Sequence, residues 1–320
     1  MWQYASRRLF LFIPTLFLAT IMVFALFWIV PGDAAMMLLT GDEDGTGKVT
    51  TADIDKLRAK MGLDRPIHVQ YGSWVWDLMK GDMGTSLWYK NAIIDDLKER
   101  FPVTIELAVL AILMAFVAAV PLGIISAVKQ DTKIDYASRV FALIGIAMPS
   151  FWIGLLTVYA LAYGLDWLPP LEYATLTGDP LRNLQQLFFP ALALAFHDMA
   201  FTARVTRSAM LEVLREDYMR TARSKGLRER TVIIRHAMKN ALLPVITISG
   251  YQFGRLLGGV IIIESIFVIP GIGLYLVDAI IHRDFIVLQG VVLLAAAVVL
   301  ALNLVIDILY GIIDPRIRYS

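Results

Sequence analysis

The residues with chemical potential are few in this chain, and their spacing argues against catalysis. The four histidines, His68, His197, His236 and His282, include no pair at the spacing of a zinc-binding helix. Cysteine is absent, which removes disulfides, thiol chemistry and Cys-based metal sites. Asp42-Glu43-Asp44-Gly45-Thr46-Gly47-Lys48 has the outline of a phosphate loop. It lacks the first glycine, however, and Val49 stands where Ser or Thr must hold magnesium. The same stretch partly fits a calcium loop through Asp42, Asp44, Thr46, Gly47 and a terminal Asp53. Asp53 is shorter than the bidentate Glu such loops use, and Met36-Met37-Leu38-Leu39 replaces the helix expected before the loop. Calcium at Asp42, Asp44, Thr46 and Asp53 is the minor reading, and no metal centre is expected. No Gly-x-Ser-x-Gly elbow occurs, and no local pattern pairs Glu106, Asp198 or Asp307 for intramembrane proteolysis. The chain is therefore expected not to be an enzyme.

The elements that position these residues read as membrane spans. Of 320 residues, 58% are apolar and 18% charged. Apolar runs longer than about 18 residues point to spans rather than to soluble domains. The net charge of +1 gives no case for nucleic acid. The runs are Leu9–Val30, Leu107–Val128, Val140–Leu165, Asn183–Ala203, Ala241–Ile263 and Phe285–Ile306. The first follows Arg7 and Arg8 and lacks a small-x-small cleavage site, so it reads as a retained anchor. Met148-Pro149 predicts a kink within the third run. His197 and Asp198 interrupt the fourth, the weakest. Gly250, Gly254 and Gly258 form a small-residue stripe on the fifth, which lets helices approach closely in lipid. Gln252, Arg255, Glu264 and Asn303 are polar in apolar surroundings and are candidates for lining a path. Thr50 to Met61 reads as an amphipathic helix within a polar stretch, and Glu264 to Asp284 as an outer turn with a short helix. These signals divide the chain into residues 1–30, an external subdomain 31–102 and a core 103–320.

Arg204 to Pro244 is the most basic segment between apolar runs, with ten of the 29 Lys and Arg. Basic residues beside spans mark the cytoplasmic side. Six spans put both termini on that side. The inner segments then hold 17 Lys and Arg, whereas the nine in Asp33–Arg100 are balanced by twelve acids.

Within the basic segment, Tyr218-Met219-Arg220-Thr221-Ala222-Arg223-Ser224-Lys225-Gly226 precedes His236-Ala237-Met238-Lys239-Asn240-Ala241-Leu242-Leu243-Pro244. This resembles the cytoplasmic signature of ABC importer permeases in its dipeptide/oligopeptide/nickel form. Arg220-Thr221-Ala222 stands where the general consensus has Glu-Ala-Ala, and the Gly226 to Pro244 spacing is longer than in sugar permeases. Gly62-Leu63-Asp64-Arg65-Pro66, Gly81-Asp82-Met83-Gly84-Thr85-Ser86, Glu264-Ser265-Ile266-Phe267 and Pro270-Gly271-Ile272-Gly273 match the same family in order. So do the ends Pro31-Gly32-Asp33 and Asp314-Pro315-Arg316.

The resemblance implies an all-α polytopic membrane protein with six transmembrane helices of the type I ABC importer kind and a periplasmic subdomain between the first and second. It implies a bacterial cytoplasmic-membrane location. The implied partners are a second homologous permease, two ATPase subunits that carry ATP and Mg, and a periplasmic or lipid-anchored substrate-binding protein. Asp217, Tyr218, Arg220, Thr221, Ala222, Arg223, Lys225 and Gly226 would form the helix coupled to the ATPase. Gly81, Asp82, Gly84, Thr85 and Ser86 would face the binding protein. A peptide is the expected substrate, with nickel chelates, glutathione, opines and oligosaccharides as alternatives within the family. A proton-coupled secondary transporter using Glu106, Asp198 or Asp307 is the alternative outside it.

Overall fold

A computed structural model describes residues 2–29, 51–60, 64–170 and 172–313, and among them the chain is helical apart from one isolated β-bridge between Thr85 and Ala92. The family-like ends at residues 31–33 and 314–316, and the acids Asp42 and Asp44 with Thr46, lie outside the described residues; Asp53 lies on a helix, Thr51–Lys60. In chain order the helices are α1 (Trp2–Ile29), α2 (Thr51–Lys60), α3 (Ile67–Met79), α4 (Ile93–Val128), α5 (Lys133–Ala147), α6 (Ser150–Tyr159), α7 (Pro180–Leu214), α8 (Asp217–Ser224), α9 (Met238–Phe267), α10 (Ile272–Ile281) and α11 (Phe285–Ile313). Two compact units share them: residues 1–101 with 275–320, and residues 102–274. The sequence reading kept the last helix with the core, whereas this division groups it with the N-terminal part of the chain.

In the first unit, α1 packs along α11, and Arg8 pairs with Asp307 at 2.8 Å. α1 leaves Phe10, Ile13 and Met22 exposed, as a helix must whose solvent is hydrocarbon. Phe17 and Phe24 meet Tyr71 of α3 edge-on, and Thr20 shares a hydrogen bond with the Tyr71 hydroxyl. The segment between α3 and α4 turns on Gly81 and Gly84, both left-handed (φ 83° and 87°), a conformation that glycine adopts without strain. Asp82 accepts the Gly84 N–H and closes the turn. Ser86 then donates to the Asp284 carboxylate at 2.6 Å, and the Trp88 N–H donates to the same oxygen. The other Asp284 oxygen accepts the Val287 N–H, so this one acid caps α11 and holds the turn.

In the second unit, small residues set the helix spacing. Ala108, Ala111 and Ala115 of α4, Ala191 and Ala195 of α7, and Leu256, Val260 and Ile263 of α9 share one buried cluster. A Cβ on Gly123 would lie 2.6 Å from Thr206 Cβ, so α4 and α7 meet only because that position is glycine. Among the described residues, none lies within 4 Å of a Cβ built on Gly258, so at that position the expected small-residue stripe meets no described neighbour.

The sequence and the backbone differ in two places. The kink expected at Pro149 is a corner: α5 and α6 are bent by 103°, and Met148 and Pro149 are extended between them. Proline removes an N–H and drives its predecessor out of the helical region. The fourth apolar run ends at Ala203, but α7 continues to Leu214, because Arg204 to Leu214 contains no Gly or Pro to stop it. Asp179 caps the start of α7 by accepting the Arg182 N–H, with Pro180 at its first position. Among the described residues, Ser6–Leu26, Ile93–Val128 and Phe285–Ile308 are each long and apolar enough to cross a membrane, and two bent helix pairs raise that number to at most five.

Candidate functional site: the basic elbow after α7

The basic segment folds as an elbow. α7 ends at Leu214, a turn at Arg215-Glu216 reverses the chain, and the eight residues of α8 follow. A helix this short is marginal alone in water. Its seat supplies the stability: Met219, 0% exposed, and Ala222 lie in a cluster with Met210, Val232, Ala237, Ala241 and Ala127. These two residues are three apart, on the inner face of α8. Asp217 in the first turn and Arg223 in the last suit the helix dipole. Gly226 takes φ 74° and donates its N–H to the Arg223 carbonyl, ending the helix.

The outer face is charged and open. Asp217, Arg220, Thr221, Lys225 and Gly226 are exposed. Arg220, with 77% of its side chain exposed, reaches Asp217 only at 3.6 Å, so its guanidinium is available to a partner. Arg223 is already engaged. Its Nη2 and Nε donate to Glu229 at 2.9 and 3.2 Å, closing the elbow onto the following helical turn Glu229–Thr231. That bidentate bond holds the Glu229 carboxyl below the usual range and raises the Arg223 guanidinium. The Tyr218 hydroxyl accepts from Asn240. Of the eight residues named from the sequence, Ala222 is thus a seat and Arg223 a brace, while Met219 and Glu229 complete the site. A buried apolar pair at i, i+3 opposite the charges was the sequence signal for Met219.

Two buried polar nodes lie elsewhere in the second unit. Glu264, 0% exposed, accepts from Thr104 Oγ1 at 2.6 Å and from the Gly273 and Leu274 N–H groups, capping α10. A Cβ on Gly271 would collide with this carboxylate. The glycine-rich turn is therefore what lets a buried acid reach a helix N-terminus. Asp135, also 0% exposed, accepts from Arg207 Nε and Nη2 at 2.7 and 2.9 Å, from Arg139 Nη2, from Ser126 Oγ and from the Asp131 N–H. It ties the end of α4 and the start of α5 to α7, two turns before the elbow.

The residues proposed for a path are placed one by one. Gln252 is buried and accepts from Thr202 at 3.1 Å, and its Nε2 has no hydrogen-bond partner among the described residues. Arg255 lies on α9, but its side chain falls outside what is described. Glu264 is committed to α10, and Asn303 is exposed on α11, in the first unit. A cavity of about 390 Å³ with polar and apolar walls in equal part opens at the α5–α6 corner, lined by Met148, Ser150, Leu194, His197, Asp198 and Leu256 among others. Of the residues expected to face a binding protein, Gly81, Asp82 and Thr85 are exposed, Gly84 is half-buried and Ser86 is buried on Asp284. Glu106 accepts a hydrogen bond from Tyr173.

Comparison with known proteins matches residues 119–319 to a family described as "Binding-protein-dependent transport system inner membrane component", and residues 1–108 to its N-terminal region. A dipeptide transport system permease protein of Alkalihalophilus pseudofirmus is 40% identical across the whole of both chains. An oligopeptide transport system permease protein of Bacillus subtilis is 38% identical over 99% of each, and a putative peptide transport system permease protein of Brucella abortus 41% identical over 96% of each. Among solved structures, an amino acid ABC transporter crystallised with histidines matches with a TM-score of 0.52 at 14% identity, over 68% of this chain and 94% of that one, a likeness of fold.

Proposed function

As this chain belongs to the family of binding-protein-dependent transport system inner membrane components, we propose that it forms half of the translocation path of an ATP-driven importer for di- or oligopeptides. Family membership makes it a multi-pass membrane subunit that leaves ATP hydrolysis to other chains. The partners are a second, related permease, two ATPase subunits and an external substrate-binding protein. Six spans with both termini in the cytosol, and residues 31–102 outside, agree with the distribution of basic residues.

One observation carries the mechanism: an eight-residue helix clamped to the bundle by Met219 and Ala222, with Asp217, Arg220 and Lys225 facing outward. A rigidly seated helix transmits displacement, whereas a floppy loop would absorb it. Closure of the ATPase dimer on ATP would carry α8 with it. The push passes into α7 through the Met210 and Val232 cluster and into α9 through Ala237 and Ala241. It biases the bundle only if α8 is held differently in the open and closed ATPase. The proton-driven alternative finds less support, since Asp307 is paired with Arg8 and Glu106 bonds Tyr173.

Charge reversal at Arg220 tests the assignment. Arg220→Glu should weaken co-purification of the ATPase and lower hydrolysis stimulated by loaded binding protein, while the chain still inserts. Unchanged co-purification and unchanged stimulation would remove the assignment.

A further inference from the structure

Between α5 and α7, two turns from the elbow, lies a cavity of about 250 Å³ with a lining of mixed chemistry. Three basic residues, Arg139, Arg204 and Arg207, line it together with Ser138, Ala142, Leu143, Ile146 and Ala203. From Arg139 to Ile146 the cavity follows α5 for about 10 Å. The charges do not cancel. Asp135 is shared by Arg207 and Arg139, and Arg139 also reaches Asp131 at 3.3 Å, so three guanidinium groups face two carboxylates. Arg204 makes no ion pair among the described residues, and its guanidinium lies over the Phe201 ring, 5.3 Å from the centroid. Arg139 Nε is buried without a hydrogen-bond partner among the described residues. The flank is apolar and open, with Val140, Leu143 and Ile144 exposed. A small anion alone would leave Leu143 and Ile146 uncovered, and an acyl chain alone would leave the Arg204 cation without a counter-charge.

We propose that this cavity binds an anionic phospholipid, with its phosphodiester among Arg139, Arg204 and Arg207 and one acyl chain along Ala142, Leu143 and Ile146. Guanidinium groups suit phosphate through their planar fork of donors, and basic pockets between membrane helices on the cytosolic side favour anionic headgroups. The inference rests on the membrane reading above, with the Arg139 and Arg204 ends at the cytosolic surface. A lipid there touches α7 just before it enters the elbow, so its headgroup would brace the helix that the ATPase moves.

The test is native mass spectrometry of the assembled transporter released from nanodiscs of phosphatidylglycerol and phosphatidylethanolamine. The wild type should retain phosphatidylglycerol on this chain. Arg204→Gln should lower retention by about fivefold, as expected for losing one cation near the headgroup plane. Arg204→Lys should keep most of it, and Arg182→Gln, in the first turn of α7, should change nothing. Equal retention in Arg204→Gln overturns the proposal. So does inorganic phosphate that raises the melting temperature as much as phosphatidylglycerol, because the ligand is then a soluble anion. Loss of the second permease with lipid retention unaltered also overturns it, because the cavity is then a protein contact. The same spectra report subunit composition. A variant that fails to assemble is thereby recognised, and Arg139→Gln, which removes another of the lining cations and should also lower retention, then carries the comparison. Absence of any ATPase partner would sink the importer reading while the lipid adduct remained measurable.

Discussion

Truncating Met219 isolates the mechanical role of the elbow from its charge. Met219 is 0% exposed and packs with Met210, Val232 and Ala237. Met219→Ala removes most of that side chain from a site enclosed by neighbours. Large-to-small substitutions of buried Met cost about 2–5 kcal/mol. The elbow is peripheral and its neighbours are free to close in, so the low end applies, about 2–3 kcal/mol. An eight-residue helix has little stability of its own to offset the loss, so the cost falls on docking of α8 rather than on the whole fold. At tenfold per 1.4 kcal/mol, the undocked population rises by about 30- to 140-fold. Hydrogen exchange of residues 217–224 in the assembled transporter should accelerate by that order, while exchange in the α7 and α9 cores stays unchanged. Hydrolysis stimulated by peptide-loaded binding protein should fall with it, although Arg220 and Lys225 are untouched. Wild-type exchange together with wild-type coupling in Met219→Ala would refute the idea of a seated lever.

Other consequences follow from the buried nodes. Asp135→Ala leaves Arg207 in a largely enclosed site without its carboxylate, and loss of one partner of a buried pair costs about 3–5 kcal/mol; thermal melting of the purified assembly should show a clear drop, larger than for Asp131→Ala, whose carboxylate is exposed. Gly271→Ala forces a methyl into the Glu264 carboxylate and should impair yield more than Glu264→Gln, which keeps the volume and an acceptor for the α10 N–H groups, as scored by detergent-soluble monodisperse protein. The Arg223–Glu229 brace has a defined pH dependence. Bonding to Arg223 depresses the Glu229 carboxyl in the folded chain, so its stabilisation is complete above the ordinary carboxylate pKa and is lost as pH falls through the lower, folded value. Protection of residues 223–229, corrected for intrinsic exchange rates, should stay flat from neutral to mildly acidic pH, and Glu229→Gln should abolish the excess protection at neutral pH.

The local parts of this architecture were legible in the sequence. Apolar length marked the helices, and residue order in 218–226 located the elbow, whose end at Gly226 has the left-handed backbone glycine favours. Motifs that looked functional turned out to have structural work as well: Ser86 fastens a turn to α11, and Gly271 and Gly273 make room for Glu264. What the sequence hid was long-range pairing. Asp135 meets Arg207 across 72 residues and Thr104 meets Glu264 across 160, and no local periodicity encodes either. The corner at Pro149 was signalled by residue type but not by magnitude, because proline permits both a kink and a break. The continuation of α7 beyond Ala203 was hidden by reading apolarity as helix length, although helix propensity does not require apolar side chains.

The chain contains no cysteine, so Arg220→Cys provides a single thiol at the outer tip of the elbow. In membranes carrying the assembled transporter, a short thiol-to-amine cross-linker at this position should capture the ATPase subunit, and a membrane-impermeant thiol reagent should reach it only from the cytosolic side. Labelling from the outside, or a functional transporter whose position 220 cross-links to no ATPase, would contradict the account.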